Sequence, residues 1–237
     1  MATSRRISPQ PRSRVAARVP AQGWLSNKRN QLIAAALLVI LAAWALWPSR
    51  YSRVAGLDSR GTSIVAFGDS LTAGAGASSG EDYPSRLSSL IGATVVNAGV
   101  NGDTTEAALA RIDNDVLSRD PRIVIVGLGG NDYLRGVPLS TTEKNLHAII
   151  RKIHDGHAMV VLLGFRFPSL SANYGKMYDR VASDERCLLV PDLLDGIEGN
   201  ASLKSDEIHP NGRGYQLMAE RMSGPIGKLI RKADAAR

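Results

Sequence analysis

Five residues scattered along this chain could together perform acyl transfer. Ser70 stands in "VAFGDSLTAGAG" (65–76), where an apolar run breaks into Gly-Asp-Ser. A serine hydroxyl is a weak nucleophile unless a base takes its proton. "SDEIHP" (205–210) offers that base in His209, with Asp206 three residues before it. A spacing of three puts both side chains on one side of a single turn. The carboxylate can then hold the imidazole N–H, fix the tautomer and stabilise the imidazolium. Gly102, in "NAGVNGDTT" (97–105), and Asn131, in "GLGGNDYLRG" (127–136), are candidate oxyanion donors. Gly102 would offer a backbone N–H where a side chain would obstruct substrate. Asn131 would offer a fixed amide dipole. Each residue also has an ordinary structural use: Ser70 as a helix cap, Gly102 in a turn, Asn131 in an Asx turn. Asp103, Asp132 and Glu207 beside them read as local hydrogen-bond acceptors.

The five matter together only if the fold brings them to one place. Short apolar runs at 63–68, 94–98, 122–128, 158–164 and 187–191 are rich in Val, Ile and Leu and do not alternate in polarity. That pattern suits parallel strands buried on both faces. Helical candidates lie near 82–92, 104–118, 140–155, 172–185 and 212–232. The alternation predicts an α/β fold, a three-layer α/β/α sandwich with a five-stranded parallel sheet and right-handed crossovers. Ligands bind such sheets at the carboxyl ends of the strands. Ser70, Gly102 and Asn131 each follow a predicted strand, and His209 lies in the long loop after the last one.

Several decoys are set aside. Gly76-Ala77-Ser78-Ser79-Gly80 matches a nucleophile elbow, but it neither follows a strand nor opens a helix. It reads as a flexible loop at the substrate entrance. His147, His154 and His157 read as helix-surface histidines, with no carboxylate at a ligand spacing. Cys187 reads as a small buried residue and allows no intrachain disulfide. No metal or cofactor is implied. Few aromatic residues, 5% of the chain, are available for a sugar-binding groove.

The net charge of +7 misleads about partners. Residues 1–50 hold eight Lys/Arg and no Asp/Glu; the remaining 21 basic and 22 acidic residues leave the body at −1. A nucleic-acid partner would need its basic patch on the folded part, so none is expected. The basic segment precedes an apolar run from Leu32 to Trp47. Sixteen helical residues reach about 24 Å, against a hydrocarbon core of about 30 Å. The run reads as a transmembrane signal anchor at 31–48 in a bacterial inner membrane, with a basic disordered cytoplasmic segment at 1–30 and the catalytic body periplasmic. A linker is expected at 49–61 and the catalytic domain at 62–232. The competing reading is a cleaved signal peptide, since Ala43-Trp44-Ala45 has the small-x-small form. "SRR" at 4–6 lies too far from the run to act as a twin-arginine signal.

With these residues in view, the chain resembles the SGNH (GDSL-type) hydrolase family. "FGDSLTAG" (67–74), "NAGVNGDTT", "GLGGNDYLRG" and "DEIHP" (206–210) occur in the family's order and spacing. "LRGVPLSTTEKNL" and "FPSLSANYGKMYDRV" are similar to the bacterial thioesterase I, arylesterase and lysophospholipase branch. The resemblance implies a flavodoxin-like sheet. It implies Ser70 as nucleophile, Asp206 and His209 as the rest of a triad, and the Ser70 N–H, Gly102 and Asn131 as oxyanion donors. The implied substrate is a small ester or thioester, including lipid. The alternatives are an O-acetyl-carbohydrate esterase and a non-catalytic ligand-binding module on the same fold.

Overall fold

The structure is a computed structural model that describes residues 27–46, 49–166 and 172–237. The chain divides into two units, Met1–Trp47 and Pro48–Arg237. Within the first, helix α1 runs from Lys28 to Leu46. The expectation of a helix is met, but that of a transmembrane span is not. Among the described residues, no helix is long and apolar enough to cross a membrane. The first turn of α1 is Lys28, Arg29, Asn30 and Gln31. The apolar remainder, Leu32–Leu46, covers only about 22 Å at 1.5 Å per residue. The last residues of the predicted span, Trp47 and Pro48, lie outside the described residues, as does most of the 1–30 segment.

The second unit is the expected sandwich. Five parallel strands, β1 (Ser63–Gly68), β2 (Val95–Gly99), β3 (Pro121–Gly127), β4 (Met159–Leu163) and β5 (Leu188–Val190), lie in the order β2-β1-β3-β4-β5. This is the flavodoxin-like order, with its switch point between β1 and β3. Central strands with no polar face must be covered on both sides. Accordingly Ile123, Val124, Ile125 and Val126 of β3 are fully buried, as is all of β4. Helix α3 (Tyr83–Ile91) packs with α8 (Gly212–Asp234); α4 (Thr105–Asp115) and α7 (Ala172–Asp184) flank α6 (Leu139–Asp155). Two short helices, α2 (Ser70–Ala73) and α5 (Gly130–Leu134), open directly after β1 and β3.

Four helix starts are fixed by side-chain caps, which satisfy first-turn N–H groups. Asp69, Asp82, Thr104 and Asn211 cap α2, α3, α4 and α8. Gly99 at the end of β2 lets α2 press onto the sheet: a Cβ there would sit 2.2 Å from the Ala73 nitrogen. Within the 49–61 stretch expected as a linker, the chain packs onto the body. Val54 and Ser59 are buried, and the Ala55 N–H donates to the Arg186 carbonyl.

Candidate active site

The carboxyl ends of β1, β2 and β3 and the loop before α8 converge on one cleft of about 490 Å³, lined by Ser70, Gly102, Asn131 and His209 among others. Ser70 and His209 are 139 residues apart in sequence, yet His209 Nε2 stands 3.0 Å from Ser70 Oγ. On the other side of the ring, His209 Nδ1 stands 2.8 Å from Asp206 Oδ2. An ionised carboxylate only accepts, so it fixes the proton on Nδ1 and leaves the Nε2 lone pair facing the serine.

Asp206 is itself held. Its Oδ1 accepts from the Ile208 and His209 N–H groups, both at 2.7 Å. The His209 N–H, the His209 ring and the Ile208 N–H together hold this carboxyl well below the usual carboxylate range. The loop is closed beneath by a Lys204–Pro210 bridge, and the Ser205 N–H donates to the His209 carbonyl at 3.0 Å. Lys204 Nζ also donates to the Glu207 carbonyl. The Asn211 N–H donates to Leu203, and its amide nitrogen to Ser202.

Gly102 has φ +77°, a left-handed conformation that favours glycine. The space a Cβ would enter faces Arg135 Nη2 at 3.2 Å, and this nitrogen also donates to the Gly102 carbonyl at 2.7 Å.

Two of the three acidic neighbours, Asp132 and Asp103, accept hydrogen bonds as expected, but from residues farther along the chain. Asp132 is buried and accepts from the N–H (2.9 Å) and Oγ1 (2.5 Å) of Thr105, 27 residues away. It thereby ties the Asn131 turn to the start of α4. Asp103 accepts from Arg111 Nε at 2.8 Å. Glu207 lines the cleft. Arg111 also donates to the carbonyls of Ala98 and Gly68 and lies 4.4 Å over the Phe67 ring. One side chain thus joins the ends of β1 and β2 to the Gly102 turn. No sequence signal marked it, since an arginine in an amphipathic helix reads as a solvated residue.

Asp69 reads in the sequence only as a turn and capping residue. It is 2% exposed, its Oδ1 accepts from the Leu71 N–H at 3.0 Å, and its Oδ2 accepts from Asn131 Nδ2 at 3.3 Å. Burial pushes its carboxyl up to about 7; the Leu71 N–H and His209 oppose the rise, and Asp103 adds to it.

The other candidates fall elsewhere. Ser78, centre of the elbow-like sequence, sits in an exposed loop, and the cleft wall stops at Ala75. His147 pairs with Glu185 at 2.6 Å, and His154 bridges the Ala158 and Glu185 carbonyls, so both tie helix α6 to the body rather than standing free on its surface. Cys187 is half-buried, and burial pushes its thiol up. Among the described residues, no group of three or more His, Cys, Asp or Glu is placed to hold a metal ion.

The sequence pattern of the GDSL-like lipase/acylhydrolase family matches residues 66–217, which contain all of these groups. The chain belongs to this family. Among GDSL hydrolases it is 32% identical over 161 residues to esterase TesA of Pseudomonas aeruginosa, covering 62% of this chain and 79% of that protein. It is 31% identical over 178 residues to thioesterase 1/protease 1/lysophospholipase L1 of Escherichia coli K12, covering 70% of this chain and 84% of the relative. The solved structure of the psychrotrophic esterase EstA from a Pseudoalteromonas species, inhibited by monoethylphosphonate, superposes with a TM-score of 0.65 at 28% identity, covering 71% of this chain and 98% of EstA. The protein is thus a GDSL hydrolase of the esterase and thioesterase kind.

Proposed function

We propose that this hydrolase cleaves acyl esters or thioesters through a Ser70–His209–Asp206 triad and an acyl-enzyme. The observation that carries the reading is the unbroken relay from Ser70 Oγ through His209 to Asp206, at 3.0 and 2.8 Å. The Ser70 oxygen attacks the acyl carbon as its proton passes to Nε2. The carbonyl π electrons move onto oxygen, where the Ser70 and Gly102 N–H groups and the Asn131 amide receive the charge. The tetrahedral species collapses, the bond to the alcohol or thiol breaks, and the leaving group takes the proton from Nε2. Water then attacks the acyl-enzyme by the same route, releasing the acid and restoring Ser70.

Leu71, Ala75, Tyr133, Leu134 and Ile208 give the cleft apolar wall, with Leu134 and Ile208 60% and 49% exposed at its rim. That lining favours an acyl chain over a polyhydroxylated sugar. The test is a panel of acyl esters and acyl-CoA thioesters of graded chain length, with acetylated sugars alongside, using the full chain. Higher kcat/KM on acetylated sugars would overturn the substrate class. A periplasmic body, tethered or released, is the placement we propose, supported by the charge asymmetry of residues 1–50 and not by the length of α1. Fractionation with N-terminal sequencing tests it.

A further inference from the structure

The backbone on either side of Asn131 is pinned. Asp132 holds Thr105 at the start of α4, and Tyr178 Oη donates to the Leu128 carbonyl at 2.8 Å. What the pins leave free is the direction of the Asn131 amide. The terminal torsion of asparagine is broad and two-fold, and turning it exchanges a donor for an acceptor. In one sense Asn131 offers an N–H to the cleft. In the other it offers a carbonyl, which would repel an oxyanion.

We infer that the buried Asp69 carboxylate is the positioning residue that selects the donor sense of Asn131. This rests on the proposal that Asn131 stabilises the oxyanion. Asp69 Oδ1 is committed to the Leu71 N–H, so Oδ2 alone faces Asn131 Nδ2, at 3.3 Å. An ionised oxygen can face the amide nitrogen favourably and cannot face the amide oxygen. With one N–H engaged by Asp69, the second Asn131 N–H remains for the cleft. Above the Asp69 titration near 7 the carboxyl is an acceptor only.

The test is a double-mutant cycle in the full chain, assayed above the Asp69 titration. Asp69→Asn keeps size and shape. Its oxygen must still accept from Leu71, so its NH2 faces Asn131 and turns that amide the wrong way. The expected result is a kcat about 10²-fold lower or more, as for loss of one oxyanion donor, with KM nearly unchanged. In an Asn131→Ala background the same change is expected to cost less than about threefold, because residues acting as one unit are not additive. Asp69→Ser, which keeps a capping oxygen and leaves Asn131 unpaired, is expected to lose less kcat than Asp69→Asn. A purely structural Asp69 gives the reverse order, since the isosteric change would be the milder. If Asp69→Asn does not fold, Asp69→Ser replaces it in the cycle. Retention of kcat in the Asp69 variant, or an equal loss with and without Asn131, overturns the inference and leaves the oxyanion hole standing. An Asn131→Ala variant with unchanged kcat overturns the oxyanion reading itself.

Discussion

Arg111 Nη2 donates to the carbonyl of Gly68 at 3.0 Å, two residues before Ser70, while Nε of the same side chain donates to Asp103. A residue in α4 therefore ties the nucleophile turn to the Gly102 turn. The Asp103 side chain is only 4% exposed. A buried carboxylate without its cation is costly, and a lysine cannot reproduce the fork. Arg111→Ala is expected to destabilise the fold by about 3–5 kcal/mol, read by denaturant unfolding. Arg111→Lys should recover only part of this. An Arg111→Ala protein as stable as the parent would contradict the clamp.

Asp69 makes stability fall with rising pH. Its carboxyl titrates at about 7 in the fold and near 3.9 unfolded. Between those values the native state holds a proton that the unfolded state has lost, so stability declines from about pH 4 to about 7 and this contribution is then flat. The facing groups are Asp103 and His209, with Tyr83, Tyr178 and Tyr215 from α3, α7 and α8. Asp206 acts oppositely: its depressed carboxyl contributes stability that is lost only as the medium becomes strongly acidic. Melting curves of the parent minus those of Asp69→Asn isolate the first effect. A difference that does not change with pH would exclude it.

Asp206→Asn should leave the loop folded and disable the base. The Asn oxygen would accept from the Ile208 and His209 N–H groups, turning its NH2 toward His209 Nδ1. The ring proton then moves to Nε2, the side that faces Ser70. The equivalent change in serine proteases costs about 10⁴ in kcat. Ester turnover within tenfold of the parent would argue against the relay.

Leu134 and Ile208 should set affinity for the acyl chain. Each offers a partly exposed apolar side chain at the rim. Covering roughly 50 Å² of it with substrate is worth about 1–1.5 kcal/mol. Leu134→Asn and Ile208→Asn are each expected to raise KM for octanoyl esters about tenfold, and to leave acetyl-ester kinetics nearly unchanged. Equal effects on both esters would place the chain elsewhere.

Much of the site was legible because its parts follow strands. Runs such as "RIVIVGL" have no polar face, so the sheet and its carboxyl edge could be read directly. Ser70, Gly102, Asn131 and His209 then fell at that edge by position alone. Asp69 reads as a turn residue, and its reach to Asn131, 62 residues on, exists only once β1 lies beside β3. Arg111 is hidden for the same reason, since its carbonyl partners belong to two other strands. Asp132 finds Thr105 across the sheet edge, a contact that no local pattern encodes. The apolar run in α1 was visible, but four polar residues make up the first turn of that helix.

The most direct measurement is covalent labelling and turnover of Ser70→Ala beside the parent, with folding followed by circular dichroism. The parent is expected to hydrolyse p-nitrophenyl esters and to take up one fluorophosphonate per chain. Ser70→Ala is expected to do neither while keeping its melting profile. Ester turnover and labelling undiminished in the folded variant would contradict the assignment of Ser70.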